Sequence, residues 1–460
     1  MNLKSKIDLR LYQKEGLELI KNKKNFGLFW QQRLGKTIVA IKAVEDYNKV
    51  IFSVPNNVAI YWYQEIKNNL DLDFDCKIID SNKKNREKIY QEFNEKEKMW
   101  IIVSYDILSR DRLENPDLLN DFDYLVLDEA HFLRNRKTVR SKNILKVRAK
   151  AKYALALSGT PAVNGSLDIL KIFQFLFPQE NYGSRYYYKK KFFHSEKNSK
   201  NQKIWVLNED KKTEWELFIN GFCDIKKTHD YLKWLPKTIE KTISLEMTGQ
   251  QLKHYKKMLI ESRRLIEDRN TEKYEKNKLV QIKRLQQICL DPKLLDLNSN
   301  SVKIDWLKEY LNNTLEDESE YIIVFTNFTS LYNKNDLSIK KYSYDFLTGQ
   351  QNSVQKQDII KRFQNKEIRV LYANMKVASL GLTIDTATTT IFLDKSWSPV
   401  DNEQASFRMV DTVERENLEP KLLINVICNN SIDDRINQVL SNKKSNSSFV
   451  YEMEEYIKNE

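Results

Sequence analysis

Two stretches of this chain carry residue types whose spacing could do chemistry on a phosphate. Residues 26–37 read F-G-L-F-W-Q-Q-R-L-G-K-T: an apolar run, a turn, then Gly35, Lys36 and Thr37 opening an amphipathic stretch. Such a loop turns backbone N–H groups and a helix N-terminus toward an anion. Lys36 is then placed to reach β- and γ-phosphate oxygens, and the Thr37 hydroxyl to ligate magnesium. Trp30 stands where phosphate loops usually carry Gly or Ala. About ninety residues further on, 124–131 read Y-L-V-L-D-E-A-H. An apolar strand would deliver two acids at its carboxyl end, where α/β sheets hold ligands. Asp128 can hold magnesium there, and Glu129 can polarise an attacking water. Either stretch alone is a modest signal; in this order they point to hydrolysis of a nucleoside triphosphate with the help of Mg²⁺.

The elements that must position these groups follow from the hydrophobic pattern. Short β-branched runs at 50–54, 100–103, 124–127 and 153–157 alternate with amphipathic stretches, the signature of a parallel α/β domain. The pattern recurs at 321–325, 370–373, 390–393 and 422–426. The fold class is therefore α/β, with two parallel-sheet lobes. Between them, from about 177 to 295, the chain is rich in Lys, Arg, Tyr and Trp and reads mainly as helix; 252–287 is long, charged and free of Gly and Pro. Expected boundaries are 1–176 for the first lobe, 177–300 for a helical insert and crossing, 301–440 for the second lobe, and 441–460 for a polar linker and C-terminal helix. D-L-N-S-N-S at 296–301 reads as the linker into the second lobe.

At 460 residues with 41% hydrophobic and 30% charged residues, composition is that of an ordinary globular chain. No run of about 18 apolar residues could span a membrane, and the opening M-N-L-K-S-K lacks a signal peptide's apolar core. The expectation is a cytoplasmic protein, with no membrane partner. Cys76, Cys223, Cys289 and Cys428 are scattered without C-x-x-C spacing, which gives neither a zinc pattern nor a disulfide framework. A net charge of +12 suits a polyanionic partner. Arg185 and the lysines 189–191, interleaved with tyrosines 186–188, form one basic and aromatic cluster; the alternative is that the tyrosines pack beneath the insert while the lysines are solvated.

Taken in order, further motifs resemble helicase superfamily 2, and within it the Swi/Snf-type double-stranded DNA translocases. Leu9-Arg10-Leu11-Tyr12-Gln13 resembles the opening element whose glutamine contacts adenine. Val54-Pro55-Asn56 with Trp62 and Glu65, Ser104-Tyr105-Asp106, and Leu157-Ser158-Gly159-Thr160-Pro161 with Asn164 resemble successive first-lobe motifs, the last coupling hydrolysis to lobe movement. Leu235-Pro236-Lys237, Met247-Thr248 with Gln251 and Tyr255, and Leu285-Gln286-Gln287-Ile288-Cys289 before Asp291-Pro292 resemble the Swi/Snf crossing, with Asp291 in place of the family's His. Ile323-Val324-Phe325-Thr326-Asn327 and Leu347-Thr348-Gly349 resemble second-lobe elements. Ser379-Leu380-Gly381-Leu382-Thr383-Ile384 runs on through Asp394, Trp397-Ser398-Pro399, Gln404-Ala405 and Arg408 in register with the last motifs.

The resemblance implies two RecA-like lobes with a mainly helical insertion between them. It adds Gln13, Gly35 and Gly381 to the cofactor-binding set and Arg408 to Lys36, Asp128 and Glu129 as catalytic groups. It implies nucleic-acid contacts at Asn56, Tyr105, Thr326, Asn327, Lys376 and Ser379. Three positions depart from the family. Arg33 replaces a Gly of the phosphate loop, Ala378-Ser379 replace Gly-Gly, and Asp411 replaces the second arginine of the last motif. An arginine finger contributes a factor of about 10³ to 10⁵, so Asp411 leaves Arg408 alone, or Arg415, to supply that charge. The expected function is a DNA-dependent ATPase that moves along double-stranded DNA, monomeric and bacterial or phage-like, with a protein partner left open. The alternatives are a weakly or non-hydrolysing ATP-gated DNA-binding module, an RNA-dependent ATPase, and a structural partner of a nuclease or methylase.

Overall fold

The computed structural model describes residues 8–134, 138–159, 167, 169–178, 185–197, 203–235, 238–267, 274–334, 337, 342–375, 384–407, 418–441, 453 and 456–458. The chain divides into two compact units, Met1–Lys233 and Trp234–Glu460.

In the first unit, β1 (Phe26–Trp30), β2 (Lys49–Val54), β3 (Asp75–Ile79), β4 (Met99–Ser104), β5 (Phe122–Leu127) and β6 (Ala151–Leu157) come in chain order. An antiparallel hairpin follows, β7 (Phe193–Lys197) and β8 (Lys203–Leu207), and then β9 (Cys223–Lys226). The hairpin aside, these strands form one sheet in the order β3-β4-β2-β5-β6-β1-β9. Every pairing in it is parallel. Helices on the sheet faces explain the continuous apolar runs, since a strand covered on both sides has no polar face; β1 and β4 are buried at every position. One core cluster runs from Phe29 and Ile51 on the sheet to Phe173, Phe192 and Trp215 beneath the insert. Tyr188 belongs to that packing: its ring stacks on Phe218 with centroids 4.5 Å apart. Tyr187 is exposed, and Lys189 Nζ lies 3.6 Å from the Trp205 ring centroid.

The second unit has β10 (Ile239–Leu245), β11 (Ile322–Thr326), β12 (Tyr344–Leu347), β13 (Val370–Asn374), β14 (Thr389–Phe392) and β15 (Leu422–Cys428). Their sheet order is β10-β15-β14-β11-β13-β12, again all parallel. The two parallel-sheet α/β lobes expected from the alternation of runs, RecA-like as the resemblance implies, are present, one in each unit. The stretch from 177 to 300 holds helices but also supplies one edge strand to each sheet, β9 to the first and β10 to the second.

The Gly- and Pro-free stretch 252–287 does not form one long helix. It forms two, Gly249–Glu267 and Tyr274–Leu290. Ser262 Oγ and the Gln281 Oε1 it donates to, 3.2 Å apart and buried, would be about 28 Å apart along one straight helix at 1.5 Å per residue. Apolar faces at Tyr255, Leu259, Ile266, Ile282, Leu285 and Ile288 meet in a shared core with Met453 and Ile457, and burying both faces outweighs helix continuity.

Candidate active site

The phosphate-loop sequence lies between β1, which ends at Trp30, and the helix Lys36–Val44. Gly35 is the residue before that helix, at φ 76° and ψ 34°, a left-handed conformation natural to glycine. A side chain there would also collide with Gln13, whose Nε2 lies 2.3 Å from the position of an added Cβ. Arg33 adopts φ 70°, so the residue that replaces the usual glycine takes a glycine-like backbone. Trp30 is fully buried. Its ring packs edge-on to Tyr12, its Nε1 donates to Asp224 Oδ2 at 2.7 Å, and it fills the space left by Gly16, where an added Cβ would lie 2.4 Å from Trp30 Cζ2. The large residue is tolerated because a glycine on the neighbouring helix makes room.

Gln13 is buried and locked on both sides of its amide: Oε1 accepts from Arg10 N at 2.9 Å, and Nε2 donates to Leu34 O at 3.0 Å. Lys36 Nζ donates to the carbonyls of Trp30 at 2.6 Å and Gln31 at 3.2 Å. A phosphate oxygen would compete with these two neutral acceptors for the ammonium, and a charged acceptor wins such a contest.

In the sheet, β6 lies between β1 and β5. Because all three are parallel, their carboxyl ends share one edge, and the groups that follow each strand gather there. After β5 come Asp128 and Glu129. Trp62 Nε1 donates to Asp128 Oδ2 at 2.8 Å, and Glu129 N donates to Oδ1 at 2.9 Å. Burial, together with the Glu129 charge, pushes the Asp128 pKa up to about 6, with Trp62 and Lys36 opposing. Two adjacent carboxylates in a dry setting disfavour joint ionisation, so the pair suits a cation. Glu129 takes φ 51°, a strained backbone for a residue with a side chain. Its Oε2 lies 3.1 Å from His131 Nδ1, and that nitrogen lies 3.5 Å from Ser158 Oγ, which follows β6. Gly159, next in the chain, would bring an added Cβ to 3.7 Å from Gln32 Cγ.

Tyr105, expected among the nucleic-acid contacts, is buried, and its hydroxyl donates to the Asp128 carbonyl at 2.6 Å. Burial and the two nearby carboxylates hold its pKa well above the ordinary tyrosine value. Asn56 is exposed in a short turn after β2. In the second unit Thr326 is buried at the end of β11, and its hydroxyl donates to Asp394. Asn327 is half-buried; its N and Nδ2 also donate to Asp394, at 3.1 and 2.7 Å. Burial raises the Asp394 pKa against the pull of these donors. Lys376, Ser379, Gly381, Arg408, Asp411 and Arg415 lie outside the described residues, as do Thr160, Pro161 and Asn164.

A profile of the SNF2-related domain matches residues 12–294, and one of the helicase conserved C-terminal domain matches residues 302–411. The chain belongs to the SNF2-related family. It is similar to an ATP-dependent helicase of Mycoplasma pneumoniae, 26% identical over 455 residues, covering 95% of this chain and 41% of the relative. It is also similar to the ATP-dependent helicase FUN30 of Saccharomyces cerevisiae, 22% identical over 554 residues, covering 98% of this chain and 47% of the relative. The SNF2-related chain thus spans less than half the length of either relative. Among solved structures, the Sulfolobus solfataricus SWI2/SNF2 ATPase core in complex with dsDNA matches at 22% identity, covering 98% of this chain and 93% of that one, with a TM-score of 0.44.

Several groups around the SNF2-related site carried no assigned role in the sequence. His131 and Trp62 were visible as motif letters but not as partners of the two acids. Thr228, buried beside the phosphate loop, has no local sequence signal at all. No helix among the described residues is long and apolar enough to cross a membrane. All four cysteines are buried and free. Cys289 and Cys428 approach Asp433 closely enough to share an ion. Asp433, however, already pairs with the fully buried Lys303 at 2.5 Å, and Lys303 also donates to Leu393 O at 2.6 Å. That ammonium is the cation of this pocket, and the cluster reads as a structural pin.

Proposed function

We propose that this chain hydrolyses ATP when engaged on double-stranded DNA and converts turnover into movement along the duplex. The observation that carries the reading is the gathering of Lys36, Asp128, Glu129, His131 and Ser158 at the carboxyl edge of one parallel sheet. Backbone N–H groups at the start of the helix Lys36–Val44 suit the phosphates. Lys36 exchanges its loop carbonyls for β/γ oxygens. Glu129 takes the attacking water as a hydrogen-bond donor and polarises it. His131, held near both Glu129 and Ser158, fixes the acid's orientation and ties it to the motif after β6. Thr37 and Asp128 would hold magnesium, and the raised Asp128 pKa fits a site whose carboxylate pair gains from a hard cation. Magnesium, when bound, would neutralise charge on the phosphate oxygens. Arg408 would add positive charge as the transferred phosphoryl group separates. Asn56, Asn327, Lys376 and Ser379 would grip the nucleic-acid backbone, contacts that position without reading sequence. The relatives' names as ATP-dependent helicases support the same class of activity.

The replacement of an arginine by Asp411 favours a second reading, in which ATP gates DNA binding with little hydrolysis. Phosphate release measured with duplex DNA, single-stranded DNA and RNA separates the two. Release stimulated most by duplex DNA and lost in Lys36→Ala is the expected result. Release no faster than that of Lys36→Ala under all three conditions would leave only the gated-binding reading. Under the first reading Asp411→Arg should turn over faster than the wild type.

A further inference from the structure

The phosphate loop is held from two sides, and only one of them is the expected lysine. On the other side lies the segment that follows β9. Thr228 is fully buried. Its Oγ1 donates to Gln32 O at 2.7 Å, and its backbone N donates to Gln31 Oε1 at 2.9 Å. Just before it, Lys226 O accepts from Gln31 N at 2.8 Å, and Asp224 takes the Trp30 indole N–H. Residues 30–32, the first half of the loop, therefore have every one of these polar groups matched by residues 224–228.

We propose that Thr228 is a positioning residue that sets the shape of the phosphate loop and hence the affinity for ATP. The physical argument is a competition. In this structure the Lys36 ammonium ties down the carbonyls of Trp30 and Gln31. When a triphosphate draws Lys36 away, those carbonyls lose their strongest donor, and the loop keeps its course through the contacts from Lys226 and Thr228. The Thr228 hydroxyl is the side-chain part of that hold. Without it the Gln32 carbonyl loses the donor that the fully buried Thr228 side chain supplies. The first unit ends at Lys233, so the residues that brace the loop also begin the stretch of chain leading to the second unit. A shift of the loop on binding is thereby transmitted to the start of that crossing.

This inference rests on the ATP reading above, and the test separates the two. Equilibrium binding of a fluorescent ATP analogue is measured on the full chain for the wild type, Thr228→Val and Thr228→Ser, with melting temperatures alongside. Valine keeps the shape and the backbone N–H but removes the hydroxyl; it should weaken ATP binding by about three- to tenfold, while serine restores binding to within about twofold of the wild type. AMP, which brings no β- or γ-phosphate, should discriminate the variants far less than ATP. Hydrogen exchange on the wild type gives a second readout that does not depend on a variant folding: ATP should change exchange at the amides of 226–233. Wild-type binding together with an unaltered Thr228→Val, or with unaltered exchange at 226–233 if valine does not fold, overturns the role of Thr228 alone. A wild type that binds no ATP sinks the nucleotide reading and this inference with it.

Discussion

Asp128 shows how much of a site's chemistry is set by burial and by the groups packed around it. Its carboxylate is raised to about 6 by burial and by Glu129, against an ordinary aspartate near 4. In a folded-state group shifted upward, the ionised form is the disfavoured one. The penalty is absent below about pH 4, where the acid is protonated in both states, grows as pH rises toward about 6, and is constant above. Replacing Asp128 by Asn should therefore stabilise the fold at pH 7 by up to about 3 kcal/mol and by much less at pH 4, while abolishing turnover. Chemical denaturation at the two pH values checks it; a variant equally or less stable at pH 7 would mean the carboxylate is not strained by its surroundings. Because a cation needs the ionised acid, the magnesium dependence of ATP turnover should also steepen as pH falls through 6. The roles of Lys36, Thr37, Asp128 and Glu129 could be argued from residue type and order alone, since a phosphate loop and a strand-borne acid pair are local patterns. The hydrogen bond that the buried Tyr105 makes to Asp128 could not, because burial is decided by helices remote in the chain.

The helix Leu11–Lys23 and β1 show the same limit one level up. Trp30 looks out of place in a phosphate loop until Gly16, fourteen positions earlier in the sequence, is seen beside it. Gly16→Ala would gain up to about 1 kcal/mol in helix propensity, but its Cβ would sit 2.4 Å from the indole, and overpacking costs roughly 1–3 kcal/mol. The net expectation is a lower Tm and weaker ATP binding, since the same helix carries Gln13. Trp30→Phe alone should also destabilise, by loss of the bond to Asp224. The double variant should be less destabilised than the two single losses added together, because the smaller ring admits the methyl group; strict additivity would show that the two side chains do not share one space. Strands β2, β4, β5, β6, β11, β13, β14 and β15 were legible because runs buried on both faces are apolar throughout. The edge strands were not. In β10, I-E-K-T-I-S-L, most positions are exposed, and β9 is four residues long with two charges, C-D-I-K; an edge has solvent on one side, so its sequence resembles an amphipathic loop. The division of 252–287 between the helices Gly249–Glu267 and Tyr274–Leu290 was hidden for a related reason, as no Gly or Pro falls in that stretch.

At the scale of the molecule, each unit has its own parallel sheet and its own core clusters, which is the physical requirement for folding alone. The position of the boundary matters more than the number of units. A fragment cut at residue 176 keeps strands β1 to β6 and both acids of the candidate site, but it loses β9. The edge of β1 would then be bare, the Trp30 indole would lose Asp224, and the phosphate loop would lose the backing of Lys226 and Thr228. A fragment ending at Lys233 keeps all of these. We expect residues 1–233 to melt cooperatively and to bind ATP in a Lys36-dependent manner, and residues 1–176 to melt at lower temperature, associate through the exposed strand edge and bind ATP weakly. Neither should turn ATP over, because Arg408 lies in the second half of the chain. Calorimetry, nucleotide binding and phosphate release on the two fragments and the full chain decide the matter. Equal stability and affinity in both fragments would make β9 a mere appendage of the sheet. Phosphate release by residues 1–233 at the rate of the full chain would show that hydrolysis draws nothing from the second unit, and Arg408 would then lose its place in the proposed mechanism.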